Sequence, residues 1–244
     1  MIPPDNLKLY DIAPSVSQEL AENLGVKPLT SAAQLCHCAD LIILAVKPHL
    51  VISLIEEVAT EIKPHQTWVS VAAGISLAAL RAGLGDEVGL VRAMPNRPAL
   101  VASGITGLMG DSLTERERIA EVESLFQAAG ETVILDNEGQ FDAVTGLSGS
   151  GPGFVFRMIE GLVEGGIREG LSREVSLKLA VLTVRGAGDL IFQLGTSPGT
   201  ERKAVSSPNG TTVAGLAVLD ERGFVDSVIA AVQAAATRSR ELGR

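Results

Sequence analysis

No histidine follows His65 in this chain of 244 residues, so chemistry in its C-terminal half must proceed without an imidazole acid or base. Aromatic residues make up 3% of the sequence and the formal charge is −9, which leaves neither the basic surface nor the stacking rings that nucleic acid requires. Nucleic acid is excluded as a partner. Long apolar runs are missing too: "LIILAV" at residues 41–46 falls far short of the roughly 20 residues that span a bilayer. The opening "MIPPDNLKLYD" lacks the basic start, apolar middle and small-residue cleavage site of a secretory signal, so no membrane partner and a cytoplasmic location are expected. The two cysteines, Cys36 and Cys38, flank His37, but no second Cys or His group completes four ligands. No metal is expected.

What is present is a hydrophobic fraction of 46%, enough for a folded chain of one large or two modest domains. Short apolar runs at residues 7–10, 41–46, 67–72, 88–93, 104–109 and 132–136 read as strands. Helical patterns at 15–24, 50–62, 77–82 and 114–129 lie between several of them. Nearly continuous apolar strands alternating with helices predict an α/β domain over 1–137, a Rossmann-like doubly wound parallel sheet. From Glu138 onward the pattern becomes helical, predicting an all-helical domain over 138–244. Gly151 and Pro152 introduce an apolar stripe at 154, 155, 158, 159, 162, 163 and 167, and further helices are predicted over 175–194, 211–219 and 224–242. Residues 175–194 carry Val175, Leu177, Leu179, Val181, Leu182, Val184, Leu190, Ile191 and Leu194 around most of the helix circumference. Such a helix is either the centre of a monomeric bundle or is covered by a second subunit, and the shortage of other helices favours the second subunit.

Ligands of an open α/β sheet bind at the carboxyl ends of its strands. Three residues there suit a dinucleotide. Asp11 follows the run at 7–10, where a carboxylate either accepts ribose hydroxyls or caps the next helix. Lys47 follows the run at 41–46, at the mouth of the sheet or simply in solvent, and Asn96 stands between two prolines in "MPNRPAL". The G-x-G-x-x-G loop that normally brings backbone against a pyrophosphate is absent, which marks the first domain as N-terminally incomplete. Elsewhere, "SSPNGTT" at residues 206–212 precedes the apolar run "VAGLAVL". One capping side chain suffices to start a helix, so this surplus of small and hydroxyl residues predicts a loop that offers backbone N–H groups and hydroxyls to a small anion.

Taken in order, "LAVKP" (44–48), "RAMPNRPA" (92–99), "DAVTGLSGSGPGFVF" (142–156) and "VSSPNGTT" (205–212) resemble pyrroline-5-carboxylate reductase over essentially the whole chain. The resemblance implies an oxidoreductase that reduces 1-pyrroline-5-carboxylate to L-proline by hydride transfer from NADPH or NADH, the last step of proline biosynthesis. It implies a Rossmann domain followed by a helical substrate-binding and dimerisation domain, assembled as a homodimer or a larger ring. Carried over residue by residue, it assigns Ser207, Gly210 and Thr211 to the substrate carboxylate and Thr212, as the catalytic residue, to the imine nitrogen. Ala45, Lys47, Pro48 and Asn96 fall near the cofactor, and the stretch 148–152 faces the active site.

Three departures accompany the resemblance. The glycine-rich loop is missing, Asn209 stands where the family usually has glycine, and Arg97 stands where it usually has threonine. Asp11 and the lack of an arginine in "DIAPS" lean toward NADH, with both cofactors retained. The rival reading is a noncatalytic or truncated paralogue that dimerises without binding dinucleotide.

Overall fold

The computed structural model describes residues 3–243. Its contacts divide the chain into two units, Met1–Gly149 with Ala235–Arg244, and Ser150–Ala234.

The first unit contains a sheet of β1 (Leu41–Leu44), β2 (Thr67–Ser70), β3 (Gly89–Met94), β4 (Gly104–Gly110) and β5 (Gly130–Ile134), arranged in sequence order. Around it run α1 (Pro14–Leu24), α2 (Ala32–Cys38), α3 (Pro48–Glu57), α4 (Leu77–Leu84), α5 (Arg116–Gln127) and α6 (Gln140–Val144). The central strands β2 and β3 are buried almost throughout, which is why they read as largely apolar runs. Alternate residues of these strands feed two apolar clusters. Ile42, Leu44, Trp68 and Leu90 pack with Cys36, Val51, Ile55, Leu77, Leu80 and Leu84 from α2, α3 and α4. Val69, Val91, Ala93 and Leu108 pack with Val122 of α5. The period of two sorts neighbouring residues such as Trp68 and Val69 into different clusters.

The Rossmann-like α/β organisation followed by helices is as the sequence predicts, with two adjustments. β1, β2 and β3 are parallel, and so are β4 and β5, but β3 and β4 are antiparallel. Residues 95–103 connect them through a single 3-10 turn, Arg97–Val101, which is too short for the crossover that parallel neighbours need. The run at 7–10 forms no ladder: it makes one isolated parallel bridge, Leu9 to Pro28, and Tyr10 packs against the first cluster.

The second unit holds α7 (Gly151–Arg168), α8 (Arg173–Leu194), α9 (Pro198–Ala204), α10 (Thr211–Glu221) and the first part of α11 (Phe224–Leu242), whose end belongs to the first unit. Ser172 caps α8 by accepting the Val175 N–H, and Gly195 ends it in the left-handed conformation that favours glycine. The short helices α2, α6 and α9 carry no apolar stripe long enough to be read from periodicity. α6 runs into a π turn over Thr145–Gly149, so the helical stretch starts inside the first unit.

Candidate active site

Because β1, β2 and β3 run parallel, their carboxyl ends share one edge of the sheet, and the antiparallel β4 begins at that same edge. Ala45, Lys47 and Pro48 follow β1 there. Lys47 sits just outside α3 in an extended conformation, Pro48 occupies the first helical position, and the Lys47 carbonyl accepts the Leu50 N–H at 2.9 Å. The Lys47 side chain is exposed and makes no ion pair among the described residues. Asn96 follows β3. Its Oδ1 accepts the Ile105 N–H at 3.0 Å and its Nδ2 donates to the Ser148 carbonyl at 3.2 Å. One N–H and one lone pair of the amide stay free for a ligand.

Asp11 lies before α1, and its Oδ1 accepts the Ala13 N–H at 2.8 Å. This bond closes a short Asx turn that leads the chain into α1, whose cap position, Ala13, has no capping side chain. The second carboxylate oxygen is left over, which keeps a ribose contact compatible with the turn.

In the second unit, residues 206–212 form a tight turn into α10. The Gly210 N–H donates to the Ser207 carbonyl at 2.9 Å, Pro208 fills the second position, and Asn209 takes φ of 61° at the third. That is the pattern of a type II turn, and Asn is one of the few residues besides glycine that tolerate it. A Cβ on Gly210 would stand 2.9 Å from the Ser207 carbonyl oxygen, closer than side chains ordinarily approach backbone, so glycine suits the close of the turn. Gly210 then caps α10 with no side-chain hydrogen bond. The first intrahelical bond is donated by Ala214 to Gly210, which leaves the N–H groups of Thr211, Thr212 and Val213 directed out of the helix start. Three hydroxyls, on Ser207, Thr211 and Thr212, flank these donors. Thr212 is half-buried and Thr211 is exposed. Unpaired N–H groups at a helix start of this kind suit a small anion.

The structure thus gathers Ala45, Lys47, Pro48 and Asn96 along one sheet edge, and Ser207, Gly210, Thr211 and Thr212 at one helix entrance. A further pair was not read from the sequence. Arg92 of β3 is buried, its Nη1 donates to Glu138 Oε1 at 2.9 Å, and its guanidinium lies 4.3 Å from the centre of the Phe141 ring. The only available signal was a charged residue inside an otherwise apolar strand, which announces a partner without naming it. Burial pushes the Cys36 thiol above its ordinary value, so it stays protonated, and no His, Cys, Asp or Glu cluster able to hold a metal occurs among the described residues.

A dinucleotide fits the groups at the sheet edge in part. An unpaired ammonium on Lys47, the spare amide groups of Asn96 and the small exposed Ala45 suit ribose and nicotinamide ends, and Asp11, before α1, offers a further free carboxylate oxygen. No glycine-rich loop is present in the sequence for the pyrophosphate.

Comparison with known proteins gives two family matches. A pyrroline-5-carboxylate reductase dimerisation model matches residues 138–242, and an F420-dependent NADP oxidoreductase model matches residues 10–74. A pyrroline-5-carboxylate reductase of Methanosarcina acetivorans is 36% identical over 245 residues, covering 100% of this chain and 90% of that protein. One from Arabidopsis thaliana is 40% identical over 228 residues, covering 93% of this chain and 82% of its own length. The crystal structure of Plasmodium falciparum pyrroline carboxylate reductase with NADP bound superposes with a TM-score of 0.89 at 27% identity, covering 100% of this chain and 90% of that one.

Proposed function

The chain belongs to the pyrroline-5-carboxylate reductase family, and from that premise we propose how its residues reduce 1-pyrroline-5-carboxylate to L-proline with NADPH or NADH, the last step of proline biosynthesis. The observation that carries the assignment is the uncapped start of α10 behind its tight turn. The substrate carboxylate takes the outward N–H groups, with the hydroxyls of Ser207 and Thr211 and the backbone at Gly210 completing its partners. Thr212, in the same helical turn, holds the imine nitrogen through its hydroxyl. A protonated imine is already electrophilic. As its carbon accepts hydride, the C=N electron pair moves to nitrogen, which keeps its proton and becomes the amine. The residues therefore act mainly by positioning, and the lack of histidine after His65 is no obstacle.

The bound dinucleotide supplies the hydride. Asp11, Ala45, Lys47, Pro48 and Asn96 are the residues assigned to hold it, with Lys47 contributing positive charge and Asp11 a ribose acceptor. The NADP named for the relatives weighs toward NADPH, while the lone carboxylate of Asp11 weighs toward NADH. Exposed apolar side chains on α8, with the match to a dimerisation region, support a homodimer or a larger ring built from it. A cytoplasmic location accords with two unpaired cysteines and with the finding that no helix among the described residues is long and apolar enough to cross a membrane.

The test is oxidation of NADPH and of NADH in the presence of the cyclic imine, together with equilibrium binding of each cofactor. Thr212→Ala is expected to lower kcat about 100-fold while dinucleotide Kd stays within about twofold. Unchanged turnover would remove Thr212 from the mechanism. Failure of the wild-type chain to bind either dinucleotide would favour the noncatalytic reading.

A further inference from the structure

Strand β3 ends in a row of three alternate residues, Arg92, Met94 and Asn96. Asn96 lies beyond the last strand residue but is still extended, with φ of −122° and ψ of 165°, so the alternation continues and the three side chains share one face. All three meet the same stretch of chain, residues 138–149. Arg92 pairs with Glu138 and stacks on Phe141, which is 1% exposed. Met94 fills the space beside Gly149, where an added Cβ would stand 2.8 Å from the methionine Cε. Asn96 holds the Ser148 carbonyl at 3.2 Å.

The stretch so held is a continuous helical rod, α6 followed by the π turn, with the Ser148 hydroxyl donating to the Val144 carbonyl at 3.0 Å. Its start is pinned again by Glu138, whose Oε1 also accepts the Leu77 N–H at the entrance of α4, at 2.6 Å. Its middle is pinned by Asp142, whose Oδ1 accepts the hydroxyl of the buried Ser239 at 2.6 Å. An inserted π turn shifts the helical register of the residues after it, so the position of Ser148 depends on how the rod is held at its beginning.

We propose that Arg92 is a positioning residue for the reduction. By gripping Glu138 and Phe141 it sets the register of residues 138–149 along β3, and so places Ser148 and the Asn96 amide that binds it. This role rests on the proposed function, in which Asn96 and the stretch from Ser148 onward serve the cofactor and substrate. A part-buried guanidinium–carboxylate pair such as this one, with Arg92 buried and Glu138 partly exposed, adds little net stability but favours one arrangement of its partners. Arginine also supplies two grips at once, a charged hydrogen bond to Glu138 and a flat face for Phe141, whereas lysine would supply only the charge.

The experiment compares Arg92→Met, Arg92→Lys and Glu138→Gln in the full chain, reading kcat, KM, dinucleotide Kd and amide hydrogen exchange across residues 138–149. Arg92→Met is expected to reduce kcat about tenfold or more, with KM and Kd within about twofold, and to accelerate exchange in that stretch. Arg92→Lys should recover part of the loss in kcat. Glu138→Gln keeps an acceptor for the Leu77 N–H while losing the charge, so it should resemble Arg92→Met and serves in its place if that variant does not fold. A folded variant with unchanged kcat and unchanged exchange would overturn the proposal, as would a loss confined to Kd or shared equally by all four readings. Should the wild-type chain bind dinucleotide but not reduce the imine, the functional reading fails, while the exchange of residues 138–149 still decides whether Arg92 holds them.

Discussion

The first unit buries two apolar clusters around its sheet, whereas in residues 150–234 only Val163, Ser176 and Ala180 are buried. The contrast does not come from composition. Helix α8 alone shows Leu177, Leu179, Leu182, Phe192 and Leu194 to solvent, each about half exposed or more. One half of the chain satisfies its hydrophobic residues internally, and the other forms helices, of which α8 and α9 have side-chain caps, but no core of its own. Such helices derive little stability from propensity alone, so their packing must come from outside the unit. In a family with a dimerisation region at these residues, the second copy is the source. The stability of this half then depends on protein concentration, while that of the sheet does not.

Breaking the helical half should have the largest effect. Leu182→Arg places a charge on the exposed face of α8, and an unpaired charge buried on association costs about 3–5 kcal/mol. Light scattering should show the dimer mass halved, with loss of helical circular dichroism as the unsupported helices melt. An unaltered mass would mean that α8 is not covered by a second copy. Leu80→Ala tests the other side of the comparison. Leu80 is fully buried in the larger cluster, so truncation should cost about 2–5 kcal/mol of unfolding free energy in denaturant titration and leave the dimer mass unchanged. If the mass falls as well, the two halves do not stand apart energetically.

How much the sequence reveals divides along the same line. The central strands β2 and β3 are legible because burial on both faces favours nearly continuous apolar runs, and α7 and α11 because their apolar residues repeat at helical spacing. Strand direction is not legible from such runs, since the reversal of β4 is encoded only in the shortness of residues 95–103. The run at 7–10 has strand composition, but composition cannot supply a neighbouring strand to pair with. At the site, the 206–212 turn is legible because proline, asparagine and glycine each act locally. The grip of Arg92 on Glu138 is not, because it joins residues far apart in the chain, and no local rule says which of many carboxylates an arginine in a strand will meet.

The smallest effect concerns a feature that both units share. Among the described residues each contains one residue other than glycine in the left-handed region, Ala102 at φ of 53° in the first and Asn209 at 61° in the second. Asn209 has a side chain that tolerates this conformation, so Asn209→Gly should change stability by no more than a few tenths of a kcal/mol. Ala102 has no such relief. It closes the 3-10 turn after Asn96 by donating to the Ala99 carbonyl at 3.1 Å, and the adjacent Ser103 N–H reaches the Pro98 carbonyl at 3.2 Å. Left-handed alanine costs about 1–2 kcal/mol, and glycine returns part of that through the greater freedom of its unfolded chain, about 0.4–1 kcal/mol. Ala102→Gly should therefore stabilise the first unit by about 0.5–1 kcal/mol, read as a higher denaturant midpoint. If both substitutions shift stability equally, side-chain tolerance is not what separates the two turns, and the strain at Ala102 is relieved by its surroundings.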